Sequence, residues 1–360
     1  MEGEINNFIK VWISVFISLC YCYGIGKIVP KGTPRLLTIV PVVCLFLALP
    51  LNLNSMHLGG TSAFFIAWLA NFKLLMFAFG KGPLSDPSIS LPQFAALACF
   101  PIKIKQDPPP NHNSEQKPPP RNFRKGHKSP LNYATKFLLL AGLIRVYDYS
   151  EYIHPKVILF LYCFHIYFAL EIILAMVAAL ARTLLGSELE PQFNEPYLST
   201  SLQDFWGRRW NMMVSRILRP TVYEPILGLS TRLLGRKWAP LPATFSTFVV
   251  SGIMHELIFY YLGRVKPTWE ITWFFLLHGA CLLIEIAIKK VVKDRWRLPR
   301  IISGPLTVVF VLSTGFWLFF PQLLRCNADA RAFAEYAAVG AFVKNVGRNL
   351  TVKSLNATWV

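Results

Sequence analysis

Apolar residues in this chain run in long unbroken blocks separated by short polar stretches, not at the helical or two-residue periods of half-buried elements. A helix needs about 20 mainly apolar residues to cross a bilayer. Blocks of that kind predict spans at 9–26, 36–52, 61–80, 134–150, 157–181, 239–262, 269–288 and 301–321. The fourth has the least regular pattern, with a clean apolar run only from Phe137 to Ile144. A ninth, less apolar helix is expected around Ala332–Val343, and Leu91–Phe100 is too short to cross and suits the interface. The first block, Val11 to Gly26, has neither a basic leader nor a small-residue cleavage site, so it reads as a retained span. No internal repeat is visible.

Residues 101–130 break the pattern. They hold eight prolines and seven Lys or Arg against two acids. Such a segment cannot build a core and reads as an extended basic linker, with PxxP ligand activity as the alternative. The chain thus divides into N-terminal spans (1–100), this basic Pro-rich loop (101–130), and a second membrane region (131–360). The last contains the loop 182–238 and the helix that carries His255.

Composition sharpens this picture. The 360 residues are 54% hydrophobic and only 16% charged, against roughly 25% charged in soluble domains. These values exclude a disordered chain, a coiled coil and an ordinary soluble enzyme. The fold class is an all-α polytopic membrane protein of about 8–9 transmembrane helices. The formal net charge is +18, yet no nucleic-acid partner is implied, because the basic residues sit in loops between apolar segments. Lys27, Lys31 and Arg35, the 101–130 loop, the Arg208–Lys237 group and the Lys289–Arg300 group all fall on one side if eight spans cross. The positive-inside rule makes that side cytoplasmic. Both termini then lie on the far side, where the sequons at Asn349 and Asn356 can be used, whereas a crossing ninth helix would reverse the C-terminus. The seven cysteines fall mostly inside apolar blocks with no zinc or disulfide spacing, so no metal is assigned.

Ionisable residues inside spans are costly and mark function by default. The foremost is His255 in Ser251-Gly-Ile-Met-His255-Glu256, since a neutral imidazole accepts a proton near pH 7. A helix-to-helix hydrogen bond is the competing explanation, and the adjacent Glu256 favours chemistry. A second segment runs from Pro191 through Gln192-Phe-Asn194-Glu195-Pro-Tyr197 to Asp204-Phe-Trp206-Gly-Arg208-Arg209-Trp210-Asn211. Arginine forks bind phosphates, and aromatic rings stack or anchor. An amphipathic interfacial helix would explain the same composition. Asn71, Lys73, His165, Glu171 and the pair His278 and Glu285, seven apart on one helix face, are pathway candidates that interhelical bonding explains equally well.

Together with Phe64-Phe65-Ile-Ala-Trp68-Leu-Ala-Asn71-Phe-Lys73, these segments resemble the plant wax synthase family, a branch of the membrane-bound O-acyltransferases, over nearly the whole chain. The resemblance implies an endoplasmic-reticulum enzyme that moves an acyl group from acyl-CoA to a lipid hydroxyl. It implies His255 as catalytic base and Asn211 as the second polar residue, with Glu256 tuning the imidazole or protonating the leaving group. Substrate contacts are expected from Asp204, Trp206, Arg208, Arg209, Trp210 and Ser251, the arginines facing CoA phosphates. Gly-Arg-Arg-Trp-Asn departs from the more acidic motif of diacylglycerol and sterol acyltransferase relatives. That departure favours the wax synthase branch and leaves the acceptor open; the majority of the family makes a long-chain fatty alcohol the first acceptor, with diacylglycerol plus acetyl-CoA or a sterol as alternatives. No cofactor is expected beyond acyl-CoA as co-substrate, and membrane lipids are the other partners. A polytopic transporter with His255, Glu256 and Glu171 along its path is the alternative of another class.

Overall fold

The computed structural model describes residues 2–100, 102–103, 130–185, 188–189, 192–292 and 298–357. Most of the basic 101–130 loop, and the cations Lys293, Arg295 and Arg297, lie outside them. Helices make up nearly all of the described chain. In order they are α1 (Glu2–Ile28), α2 (Thr33–Ala48), α3 (Met56–Ala78), α4 (Leu91–Cys99), α5 (Pro130–Val146) and α6 (Pro155–Leu185). After them come α7 (Met212–Leu218), α8 (Glu224–Trp238), α9 (Pro240–Gly263), α10 (Glu270–Val292), α11 (Arg300–Arg325) and α12 (Ala328–Ala357). One two-residue antiparallel pair joins Ile102–Lys103 to Glu188–Leu189.

Among the described residues, seven helices are long and apolar enough to cross a membrane: α1, α2, α3, α6, α9, α10 and α11. The expected fourth span forms a helix, α5, but its 17 residues fall short of spanning length. Helix α12 starts four residues before the expected Ala332, and it lacks an apolar window of spanning length. Leu91–Phe100 is α4, begun by a reciprocal cap between Ser90 and Gln93. It packs inside the first bundle with α1 to α3, around Leu19, Ile39, Phe46, Leu74 and Phe94.

Two cations read from the sequence as membrane or loop charges are helix caps. Arg35 donates to the Gly26 and Val29 carbonyls at 2.9 and 2.7 Å, which are among the last acceptors of α1 that its own helix cannot satisfy. Buried Lys73 donates to the carbonyls of Leu97 and Phe100, closing the C-terminus of α4 where a cation also suits the helix dipole. Glu171, another pathway candidate, pairs with Lys136 at 2.7 Å and so ties α6 to α5.

Helices α9 and α10 form the closest pair in the second bundle. A Cβ on Gly252 would stand 3.1 Å from the Thr272 Cα, and one on Gly279 would stand 3.0 Å from the Phe248 Cβ. Small residues let helix backbones approach in lipid, where packing replaces the hydrophobic drive. That approach brings the His255 face of α9 against the aromatic face of α10.

Candidate active site

Helix α9 places His255 four residues, just over a full turn, after Ser251, and its Nδ1 lies 2.7 Å from the Ser251 carbonyl oxygen. A carbonyl oxygen only accepts, so Nδ1 carries the imidazole proton and donates it there. The neutral ring therefore keeps a lone pair on Nε2. Three aromatic side chains surround the ring: Phe275 at 4.4 Å and 32°, Trp68 edge-on at 5.1 Å, and Phe319 at 6.2 Å. They come from α10, α3 and α11, so three spans converge on this one histidine.

His255 lines a chamber of about 560 Å³, within the range of small-molecule sites. Its walls are aromatic and aliphatic, and Trp206, Trp210 and Asn211 line it with His255. Three wall segments are π-helical turns: Phe64–Ala70 within α3, Phe205–Arg209, and Gly315–Phe319 within α11. An extra residue per turn widens a helix and re-aims its side chains, and such turns recur at functional sites. The periodicity of apolar residues gives no sign of them.

Backbone pairing stitches the two halves of the 191–211 segment together. Asn194 N donates to the Arg209 carbonyl and Met212 N to the Gln192 carbonyl, each at 2.9 Å. Arg209 reinforces the join, with Nε on Asp204 Oδ2 at 2.7 Å and Nη1 on the Asn194 carbonyl at 3.1 Å. Trp210 stacks on Phe205 at 5.6 Å and meets Phe193 edge-on. Asn211 takes a left-handed conformation, φ 39°, which asparagine tolerates better than most residues. In that pose it starts α7, with Oδ1 accepting from Val214 N at 3.4 Å, while its residue faces the chamber.

Five expected site residues sit elsewhere. Glu256 follows His255 by one residue, a rotation of about 100° on a helix of 3.6 residues per turn. It does not line the chamber. Its Oε1 accepts from Thr272 N at 3.1 Å in the first turn of α10, and its Oε2 makes no hydrogen bond. The carboxylate therefore anchors α9 to a helix N-terminus, where negative charge is favoured. Arg209 and Asp204 are occupied by each other and by the 194–195 turn. Ser251 contributes its carbonyl rather than its hydroxyl. Arg208 is exposed, free of the Asp204 pair.

The chamber also holds a polar group of which sequence reasoning found only His165. His57 donates or accepts between Glu335 Oε2 at 2.7 Å and the Tyr336 hydroxyl at 2.9 Å, and Tyr336 also meets His165 Nε2 at 3.0 Å. The Tyr162 hydroxyl donates to Asp329 at 3.1 Å. His57, Asp329 and Tyr336 all line the chamber, so the start of α12 forms one of its walls. Among the described residues, no three His, Cys, Asp or Glu side chains converge to hold a metal ion.

Residues 189–277, which contain the stitched segment and His255, match the membrane bound O-acyl transferase family. The chain is 53% identical to acyl-CoA–sterol O-acyltransferase 1 of Arabidopsis thaliana, over 96% of this chain and 98% of that protein. It is 47% identical to the long-chain-alcohol O-fatty-acyltransferase of Simmondsia chinensis, over 93% of this chain and 95% of that protein. A probable long-chain-alcohol O-fatty-acyltransferase 1 of Arabidopsis thaliana is 48% identical, over 93% and 96%. Identity of this extent over 93–96% of the chain makes this multi-pass membrane chain a member of the membrane bound O-acyl transferase family, in its plant wax-synthase-like branch.

Proposed function

We propose that this chain transfers an acyl group from acyl-CoA to the hydroxyl of a membrane-resident lipid alcohol, with His255 Nε2 as the general base. The observation that carries the proposal is the fixed tautomer: Nδ1 is committed to the Ser251 carbonyl, which leaves Nε2 as the proton acceptor inside an aromatic chamber. The acceptor hydroxyl gives its proton to Nε2 as its oxygen attacks the thioester carbonyl. Collapse of the tetrahedral intermediate breaks the C–S bond, and the imidazolium returns the proton to the departing sulfur, so one ester and one CoA thiol form with no net proton change. The amide N–H of Asn211 is suited to the developing oxyanion. Aromatic walls keep out water, which would otherwise hydrolyse the thioester.

The exposure of Arg208 supports its meeting the phosphates of a cytosolic donor, and the cationic loops favour the approach of an anion. Such a donor suits an enzyme of the endoplasmic-reticulum membrane. The first acceptor is a long-chain fatty alcohol, giving a wax ester. A sterol acceptor is the second reading, favoured by the 53% identity to a sterol O-acyltransferase.

The test is an assay on membranes from cells without endogenous neutral-lipid synthesis. Palmitoyl-CoA and acetyl-CoA are each offered with hexadecanol, diacylglycerol and a sterol. Palmitoyl-CoA with hexadecanol is expected to give ester, and His255→Ala to lower turnover by at least about 10²-fold, the scale of general-base assistance. Near-normal turnover by His255→Ala at normal abundance would remove His255 as the base. Sterol ester forming faster than wax ester would move the acceptor to the second reading.

A further inference from the structure

His278 is fully buried in α10, 0% exposed, and does not line the chamber. It nevertheless connects two of the chamber's walls. Trp206 Nε1, which can only donate, lies 3.1 Å from His278 Nδ1. Nδ1 must therefore be the bare acceptor, and the ring proton sits on Nε2. From there it donates to Thr314 Oγ1 at 2.8 Å. The Thr314 hydroxyl passes its own hydrogen to the Phe310 carbonyl at 2.7 Å. The result is a one-way chain, Trp206 to His278 to Thr314 to backbone, in which every buried polar hydrogen has an acceptor.

Both ends of the chain matter to the site. Trp206 lies in the π-turn 205–209 and packs against Phe275, the ring nearest His255, at 5.7 Å. Thr314 immediately precedes the π-turn Gly315–Phe319, and Phe319 also flanks His255. A second hold lies two turns further along the same face of α10, about 10 Å away at 1.5 Å per residue. There Glu285 Oε2 accepts from Leu202 N at 2.8 Å and Oε1 pairs with Lys289 at 2.6 Å. Glu285 thus fixes the start of the segment whose indole His278 fixes.

We propose that His278 is a positioning residue of the acyltransferase site: through its neutral, Nε2-protonated tautomer it sets the indole of Trp206, and with Glu285 it seats the 201–206 segment as a wall for the lipid substrates. The inference rests on the acyl-transfer reading above. A core histidine with only a packing role would need neither the acceptor at Nδ1 nor the indole N–H opposite it.

A double-mutant cycle separates these roles. His278→Leu keeps bulk and removes both hydrogen bonds. His278→Asn puts a carbonyl oxygen near the position of Nδ1 and so keeps an acceptor for the indole. Trp206→Phe removes the N–H while leaving an aromatic ring. The variants are compared at equal membrane abundance, in a preparation whose turnover is abolished by His255→Ala. Additivity then overturns the positioning role alone and leaves the acyl-transfer reading standing.

His278→Leu is expected to lower kcat/KM by about 10-fold or more, chiefly by raising KM for the lipid alcohol, as loss of a binding wall does. His278→Asn should recover most of that loss. In the Trp206→Phe background, changing His278 to Leu or Asn should add less than about 2-fold, because coupled residues are not additive. Equal losses for Leu and Asn, or a full further loss in the Trp206→Phe background, would overturn the proposal. Should His278→Leu fail to accumulate, the comparison of His278→Asn with and without Trp206→Phe decides alone. Wild-type-like KM for His278→Asn supports the role, and a loss that persists without the indole N–H overturns it.

Discussion

At the scale of single residues, the proposed chemistry turns on which atom of an imidazole is left free. His278 is buried and His255 half-buried, both beside aromatic rings, yet their partners give them opposite assignments. A carbonyl takes the proton of Nδ1 in His255, and an indole N–H demands a bare Nδ1 in His278. Only the first leaves a lone pair facing the chamber. The sequence singled out His255, because a histidine inside an apolar span is costly, and the family resemblance added Asn211; both line the chamber. It could not separate Glu256 from His255, since adjacent letters on a helix point about 100° apart. With Glu256 bonded to the first turn of α10, Glu256→Gln keeps a carbonyl oxygen for Thr272 N. Its kcat is expected to stay within about 3-fold of the parent, against the 10²-fold scale for loss of an acid or base. A loss of that larger scale at normal abundance would restore Glu256 to the proton path.

At the scale of elements, spans were legible because the bilayer imposes a length and an apolar content that composition alone reveals. The π-turns were not, since one extra residue in a turn changes no hydropathy. Helix α12 shows the same limit. Its modest apolar content marked it only as a weak ninth segment, yet Asp329 and Tyr336 from its first turns line the chamber. What seats it is Glu335, which accepts from the backbone amides of Met56 and His57 and from the His57 ring. Burial pushes this carboxyl up, but those hydrogen bonds outweigh burial and hold it at about 2, below its ordinary 4.5. A carboxyl with a depressed folded-state value stabilises the seated helix fully above its ordinary value, and that contribution fades as pH falls toward the folded value. A fluorophore on Ala334→Cys should therefore report stable docking above about pH 4.5 and progressive release between there and about 2. Glu335→Gln should remove this acid step. An unchanged acid step in that variant would assign the release to another group.

At the scale of the whole molecule, two sets of contacts gather the loops onto opposite faces. Arg331 donates to the carbonyls of Leu262 and Asn54, and Arg264 to those of Pro50 and Leu53, so the ends of α2 and α9 and the start of α12 share one face. On the other face Lys290 reaches the Lys237 carbonyl at 3.5 Å, and Lys289 reaches Gln203 at 3.3 Å. That is the alternation required by the charge pattern, and α9 separates the two faces with Arg236 and Lys237 before it and Lys266 after it. The positive-inside rule assigns the Arg236 face to the cytoplasm, where an anionic acyl donor would arrive. All seven cysteines are free, so they can be replaced without breaking a disulfide. In a cysteine-free background, single cysteines at Arg236 and Lys266 should then behave oppositely in sealed microsomes. Arg236→Cys should react with an impermeant maleimide from outside, and Lys266→Cys only after the membrane is opened. Labelling of both from outside, or the reverse pattern, would invert the assignment and place the exposed Arg208 away from cytosolic acyl-CoA. The donor would then need a different route to His255.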